Sequence, residues 1–146
     1  MRYSFLLIAV TVLIGCVQSI DHDEVAAGKR AVEFAQVTLV KQDFEKGYAL
    51  LSGSAKRYVP LEKFKETVVR LHPKTFPVSV TATQYEPMPG ETAIYIYIVG
   101  ENSGERFYYT LTMEGTATSG YRVSRLNRAA EPLSPSKNRQ EFSKNL

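Results

Sequence analysis

The sequence predicts an α+β domain in which two N-terminal helices pack on a four-stranded antiparallel meander. Three observations predict it. Apolar residues recur at helical spacing as far as residue 71. From Val78 onward, β-branched and aromatic residues alternate in runs broken by Gly- and Pro-containing turns. The connections between those runs are short, which makes neighbouring strands antiparallel. Helices set apart from strands along a chain without internal repeats argue one α+β domain, with the helices on one face of the sheet.

The first helix is expected over residues 25–51. Phe34, Val37, Phe44, Tyr48 and Leu51 fall on one stripe, widened by Ala31, Leu39 and Val40, while Lys29, Arg30, Glu33, Lys41 and Glu45 fill much of the other side. Gly47 weakens this helix near its end, and Ser52-Gly53-Ser54 stops it. Pro60 opens a second helix, where a first-turn proline is well placed. Leu61, Phe64, Val68 and Leu71 form its apolar face, and it ends before Pro73. Strands are expected at 78–85, 92–99, 105–114 and 121–126, with a hairpin loop at 100–104. Residues 128–146 hold few apolar groups and read as a polar, flexible tail.

Composition narrows the function. The chain has 146 residues, 44% hydrophobic and 23% charged, which suits a single globular domain. One Cys leaves no internal disulfide framework and no multi-Cys zinc site, and two His leave little for a His-built metal centre. A net charge of +3 is mild for a nucleic-acid binder, so no nucleic-acid partner is expected. No phosphate loop, Gly-x-Ser-x-Gly elbow or Cys-His pair is present, so no catalytic residue, metal or cofactor is assigned.

The first residues read as a targeting segment. One positive side chain, Arg2, precedes an apolar run at 5–14. Ten residues make a helix of about 15 Å, half of the roughly 30 Å that a bilayer core requires. The run is therefore a secretory h-region and not a membrane span. It ends in Leu13-Ile14-Gly15-Cys16, which resembles a bacterial lipobox. The resemblance implies cleavage after Gly15, lipid on the Cys16 thiol and acylation of the new N-terminus, palmitate being the usual chain. Two or three acyl chains hold a protein at a bilayer where one does not, at about 0.8 kcal/mol per buried methylene. An ordinary secretory cut after Ser19 would instead leave Ile20 first and Cys16 incidental. The resemblance further implies that, in a Gram-negative cell, Val17 in place of the inner-membrane-retaining Asp favours the outer membrane, with the domain facing the periplasm. The expected organisation is a signal peptide at 1–15, a lipidated Cys and polar tether at 16–24, an α+β domain at 25–127 and the tail.

The long first helix ending in Tyr48-Ala49-Leu50-Leu51-Ser52, the Pro60-started helix and the meander together resemble small cystatin-like or nuclear-transport-factor-two-like domains of uncharacterised envelope lipoproteins. That resemblance implies a cone with a pocket between sheet and helices, and frequent dimers. It implies no single activity.

The hairpin at 92–113 carries the site expectations. With a loop at 100–104, Tyr97 faces Phe107 and Tyr95 faces Tyr109 on one apolar face, with Ile94, Ile96 and Ile98 on the other. Two helices cover one face only. The expectation is that they take the Ile side, leaving Tyr95, Tyr97, Phe107 and Tyr109 for a second copy, an envelope protein partner, a ligand or the tail, the alternative being strands buried by their own domain with tyrosine hydroxyls at the rim. Tyr48 and His72 are weaker polar pocket candidates, and His72 also suits a helix C-terminus. His22, beside Asp21, Asp23 and Glu24, reads as a solvated linker that could hold a metal only loosely. Two functions stay open: an envelope lipoprotein with a non-catalytic interaction domain, or a pocket binder or hydrolase-like enzyme of the same fold.

Overall fold

The computed structural model describes residues 20–130 and 134–146. Helices come first: α1 (Glu24–Ala35) continuing as a π-helical turn (Gln36–Val40), then α2 (Phe44–Ala49), α3 (Gly53–Tyr58) and α4 (Leu61–Arg70). Strands β1 (Ser79–Pro87), β2 (Ala93–Asn102), β3 (Glu105–Thr116), β4 (Gly120–Ala129) and β5 (Gln140–Glu141) follow. They form one antiparallel sheet in the order β4-β3-β2-β1-β5. The helix α1 crosses one face and touches all four long strands. Its Ala27, Ala31, Phe34 and Ala35 meet Ile94, Ile96, Ile98, Leu111 and Met113 in the core. The α+β expectation and the four-strand meander therefore hold, and the Ile side is the side the helices take.

The expected single helix over 25–51 is two helices. The chain leaves helix at Gln42, whose φ is +54°, and Asp43 restarts it by accepting a hydrogen bond from the Lys46 N–H at 3.1 Å. The apolar stripe runs on across the break because both helices face the same core. Gly47 is not a weak point but a seat: a Cβ there would stand 2.1 Å from Thr38 Oγ1, so only glycine lets α2 fold back on the π turn. Ser52 likewise does not simply stop a helix. Its hydroxyl accepts the Ala55 N–H at 3.2 Å and caps α3, an element the sequence did not predict. Leu50–Ser52 also pairs with the outer edge of β4, through Val123 N–H to Leu50 O at 3.1 Å and Ser52 N–H to Val123 O at 2.7 Å.

The hairpin is tighter than expected. Only Ser103 and Gly104 lie between paired Asn102 and Glu105, with φ of +50° and +83°, the left-handed pair that matches strand twist. Asn102 rather than Val99 thus stands opposite Glu105. A shift of three residues is odd, so β3 turns its other face to the core. Phe107 and Tyr109, expected beside Tyr95 and Tyr97, join the Ile face instead, each only 1% exposed.

Between β3 and β4, Gly115 has φ +136°, and a Cβ on it would lie 1.8 Å from the Gly120 carbonyl oxygen. The contact is with backbone and cannot yield by a side-chain rotation. Gly115→Ala is expected to cost about 3 kcal/mol in urea unfolding, the upper range for a strained backbone position. Gly53→Ala, with nothing within 4 Å of its Cβ, is the control and is expected to be neutral or slightly stabilising.

The region read as a flexible tail is a strap. Ser136 Oγ donates to Glu86 Oε1 at 2.7 Å, and the Arg139 guanidinium lies 4.1 Å from the Tyr97 ring centre, both on the sheet face away from α1. Gln140–Glu141 then pairs along the edge of β1, and Ala82 and Leu146 exchange two backbone hydrogen bonds of 2.9 and 3.1 Å. Beyond the edge, Phe142 and Leu146 enter the core side against Gly28 of α1, where a Cβ would stand 2.8 and 2.6 Å from their side chains. Thirteen C-terminal residues therefore wrap an edge that a four-stranded sheet would leave open.

Candidate functional site

Of the four residues expected on one interaction face, two are interior. Phe107 and Tyr109 close the core around His72, which is 4% exposed and lies at the C-terminal end of α4. The His72 ring stacks on Phe76 at 4.4 Å between centres. Nδ1 lies 2.8 Å from the Val68 carbonyl and Nε2 lies 2.7 Å from the Tyr109 hydroxyl. A carbonyl only accepts, so Nδ1 carries the proton and Nε2 accepts from Tyr109. Burial holds the His72 pKa below its ordinary value, opposed by the Val68 bond and helped by the Arg128 charge. Burial also pushes the Tyr109 hydroxyl well up. Burial thus favours the neutral form of both groups, and the bond ties α4 to β3.

Tyr97 does lie on the face away from α1, but it is 9% exposed. Its hydroxyl donates to Glu86 at 2.8 Å, and the Arg139 guanidinium roofs its ring. Below the strap a hollow of about 400 Å³ remains, walled by Thr83, Gln84, Tyr97, Tyr108, Ser136 and Arg139. Tyr95 alone of the four stays half-open on this face. The flat tyrosine interface is thus replaced by a strapped surface. Tyr48, a weaker candidate, donates to the Val59 carbonyl at 3.0 Å and packs on Phe64, pinning α2 to α4.

His22 is not a solvated linker. Nε2 lies 3.2 Å from the Glu91 carbonyl and Nδ1 lies 3.4 Å from the Tyr121 hydroxyl, which also accepts the Asp23 N–H at 2.8 Å. Both ring nitrogens are engaged, leaving none for a metal. Cys16 lies outside the described residues.

A second, more apolar concavity was not legible in the sequence. It is a groove of about 500 Å³ between α4 and β4, with α3 as its third wall. Leu51, Phe64 and Val68 form the floor and are nearly fully buried. Ala55, Val59, Leu71 and Leu126 line the sides. Next to the groove residue Leu71, Arg128 Nη1 donates to the Leu71 carbonyl and stacks its guanidinium 4.7 Å from the Phe107 ring centre. The rim carries Tyr58, 82% exposed, with Lys63 and Arg125. The charged residues lining the groove are both cations. Such a site, apolar within and polar at its mouth, can hold a small amphipathic molecule, and nothing in it places a nucleophile beside a base. A cue for it stands in the sequence: Tyr58 is a large aromatic off the apolar stripes of its neighbours.

No family model, curated protein or solved structure matches this chain.

Proposed function

We propose that this protein is a lipid-anchored lipoprotein of a bacterial envelope whose domain binds, without catalysis, an apolar ligand bearing an acidic group. The observation that carries the binding half is the α3–α4–β4 groove, whose apolar floor meets Lys63 and Arg125 at its mouth. The anchor rests on Leu13-Ile14-Gly15-Cys16 at the end of the apolar run. Val17 in the following position favours the outer membrane, with the domain in the periplasm. The cystatin-like or nuclear-transport-factor-two-like assignment belongs to this reading too, supported by one long helix lying across a meander that two β-bulges curve.

The ligand test uses a form beginning at residue 20, free of lipid and detergent. Dodecanoate is expected to bind, and neutral dodecanol to bind about tenfold more weakly, the equivalent of one partly exposed charge contact. Ala55→Phe fills the groove and is expected to abolish binding while the melting temperature holds. Binding that ignores Ala55→Phe, or no binding to 1 mM dodecanoate (about −4 kcal/mol), removes the ligand reading. The anchor test is separate. The mature protein should outweigh the 16–146 peptide by covalent lipid, and Cys16→Ser should release it to soluble fractions.

A further inference from the structure

The hydrogen bonds that hold the first described residues set how an anchored domain would stand. Ala117 N–H donates to the Asp21 carbonyl at 3.1 Å, Asp23 N–H to the Tyr121 hydroxyl at 2.8 Å, and His22 reaches the Glu91 carbonyl at 3.2 Å. Three consecutive residues are thus tied to one end of the sheet, where the β1–β2 turn and the β3–β4 turn lie side by side. We infer that this end, formed by residues 88–92 and 116–120, is the surface that faces the bilayer holding the lipid on Cys16. The inference rests on the anchoring proposed above.

The argument is one of reach. From Cys16 to Asp21 there are five residue steps, which span at most about 18 Å fully extended. From Ala93, at the tied end of β2, to Asn102 at the far hairpin, the strand runs about 30 Å at 3.3 Å per residue. The tether is therefore shorter than the sheet. The end with the Ser103-Gly104 turn therefore stands farther from the lipid than the tied end. Charge keeps the tied end off the headgroups. Asp21, Asp23 and Glu24 lie within electrostatic reach of Tyr121 at this end, and Glu91 is in its β1–β2 turn. An anionic leaflet repels them within a Debye length of about 8 Å. The surface faces the headgroups across water and does not sink into them. At the tip of the β3–β4 turn, Ala117, Thr118 and Ser119 are small and exposed, and in the β1–β2 turn Met88 is half-buried.

The test uses the full chain, processed and lipidated, in vesicles of phosphatidylethanolamine and phosphatidylglycerol. The chain has a single Cys. Once lipid occupies that thiol, Thr118→Cys and Glu105→Cys each offer one site for a fluorophore, at the near and far ends. A headgroup nitroxide lipid is expected to quench the label at 118 about threefold more than the label at 105, given the reach difference. Inserting twelve Gly/Ser residues after Gln18 lengthens the tether by about 20 Å on average and should bring the two labels close to parity. Equal or reversed quenching in protein whose mass shows the lipid overturns the inference and leaves the anchoring intact. A difference undiminished by the insertion also overturns it, because tether length would then not be the cause. Mass spectrometry that finds Cys16 without lipid overturns the anchoring reading, and the inference with it.

Discussion

Truncation after Ala130 is expected to collapse the domain, lowering the melting temperature by more than 10 °C. The cut removes Phe142, which is 8% exposed, and Leu146, together with the β1 edge pairing and the Ser136–Glu86 bond. Phe142→Ala alone should cost about 3 kcal/mol, in the range of buried Phe truncations, and that is about 10–15 °C for a domain of this size. Gly28→Leu provides the mirror experiment. Its side chain needs the space that Phe142 and Leu146 fill, so it should mimic the truncation and add little to it, the non-additivity expected of groups sharing one space. Thermal unfolding followed by circular dichroism measures all three. A melting temperature within 2 °C of wild type after truncation (about 0.5 kcal/mol) would mean that the strap merely rests on the sheet.

Acidification below neutral pH is expected to destabilise the domain through His72. The sign follows from its lowered pKa in the folded state. Below about 6.5 the unfolded chain takes up a proton on His72 while the folded chain does not, so stability falls as pH falls, by up to about 1.4 kcal/mol per unit. The fall stops when pH passes the folded pKa. Above 6.5 both states hold neutral imidazole and the contribution is constant. His72→Gln should flatten this part of the stability curve. It should also lower stability at pH 7.5 by about 1–3 kcal/mol, because Tyr109 and the Val68 carbonyl lose a well-placed partner inside the core. Urea unfolding from pH 5 to 8 gives both numbers. A wild-type curve parallel to that of His72→Gln would show that the imidazole is already charged or solvated.

Much of the fold was legible from residue order, and the reasons for the rest are local. The helix α4 stood out because Pro60 and the Leu61-Phe64-Val68-Leu71 spacing agree with each other. The break at 41–43 did not, because helical periodicity reads which face is buried and is blind to a chain that turns and presents the same face again. The β2–β3 register turned on whether Asn102-Ser103-Gly104-Glu105 or Gly100 to Gly104 forms the loop. That single choice moved Phe107 and Tyr109 across the sheet and changed the candidate site. The strap reads as a loose tail because two apolar side chains in a polar stretch carry little local signal. Their meaning lies in Gly28, nearly the whole domain away. The groove belongs to no single element: it is the space left where α3 holds α4 off β4, so no one stretch of sequence contains it.

The strap also bears on when this chain can fold. Phe142 and Leu146 complete the burial of a helix that lies more than a hundred residues earlier, and residues 140–146 clamp a strand edge that stays unpaired until they arrive. Contacts this distant in sequence close slowly, because the intervening chain must be ordered before they yield any stability. A chain emerging from synthesis without residues 134–146 lacks the clamp and stays pliant. Completion of the native state is thereby tied to the arrival of residues 134–146, which act as a timer on folding.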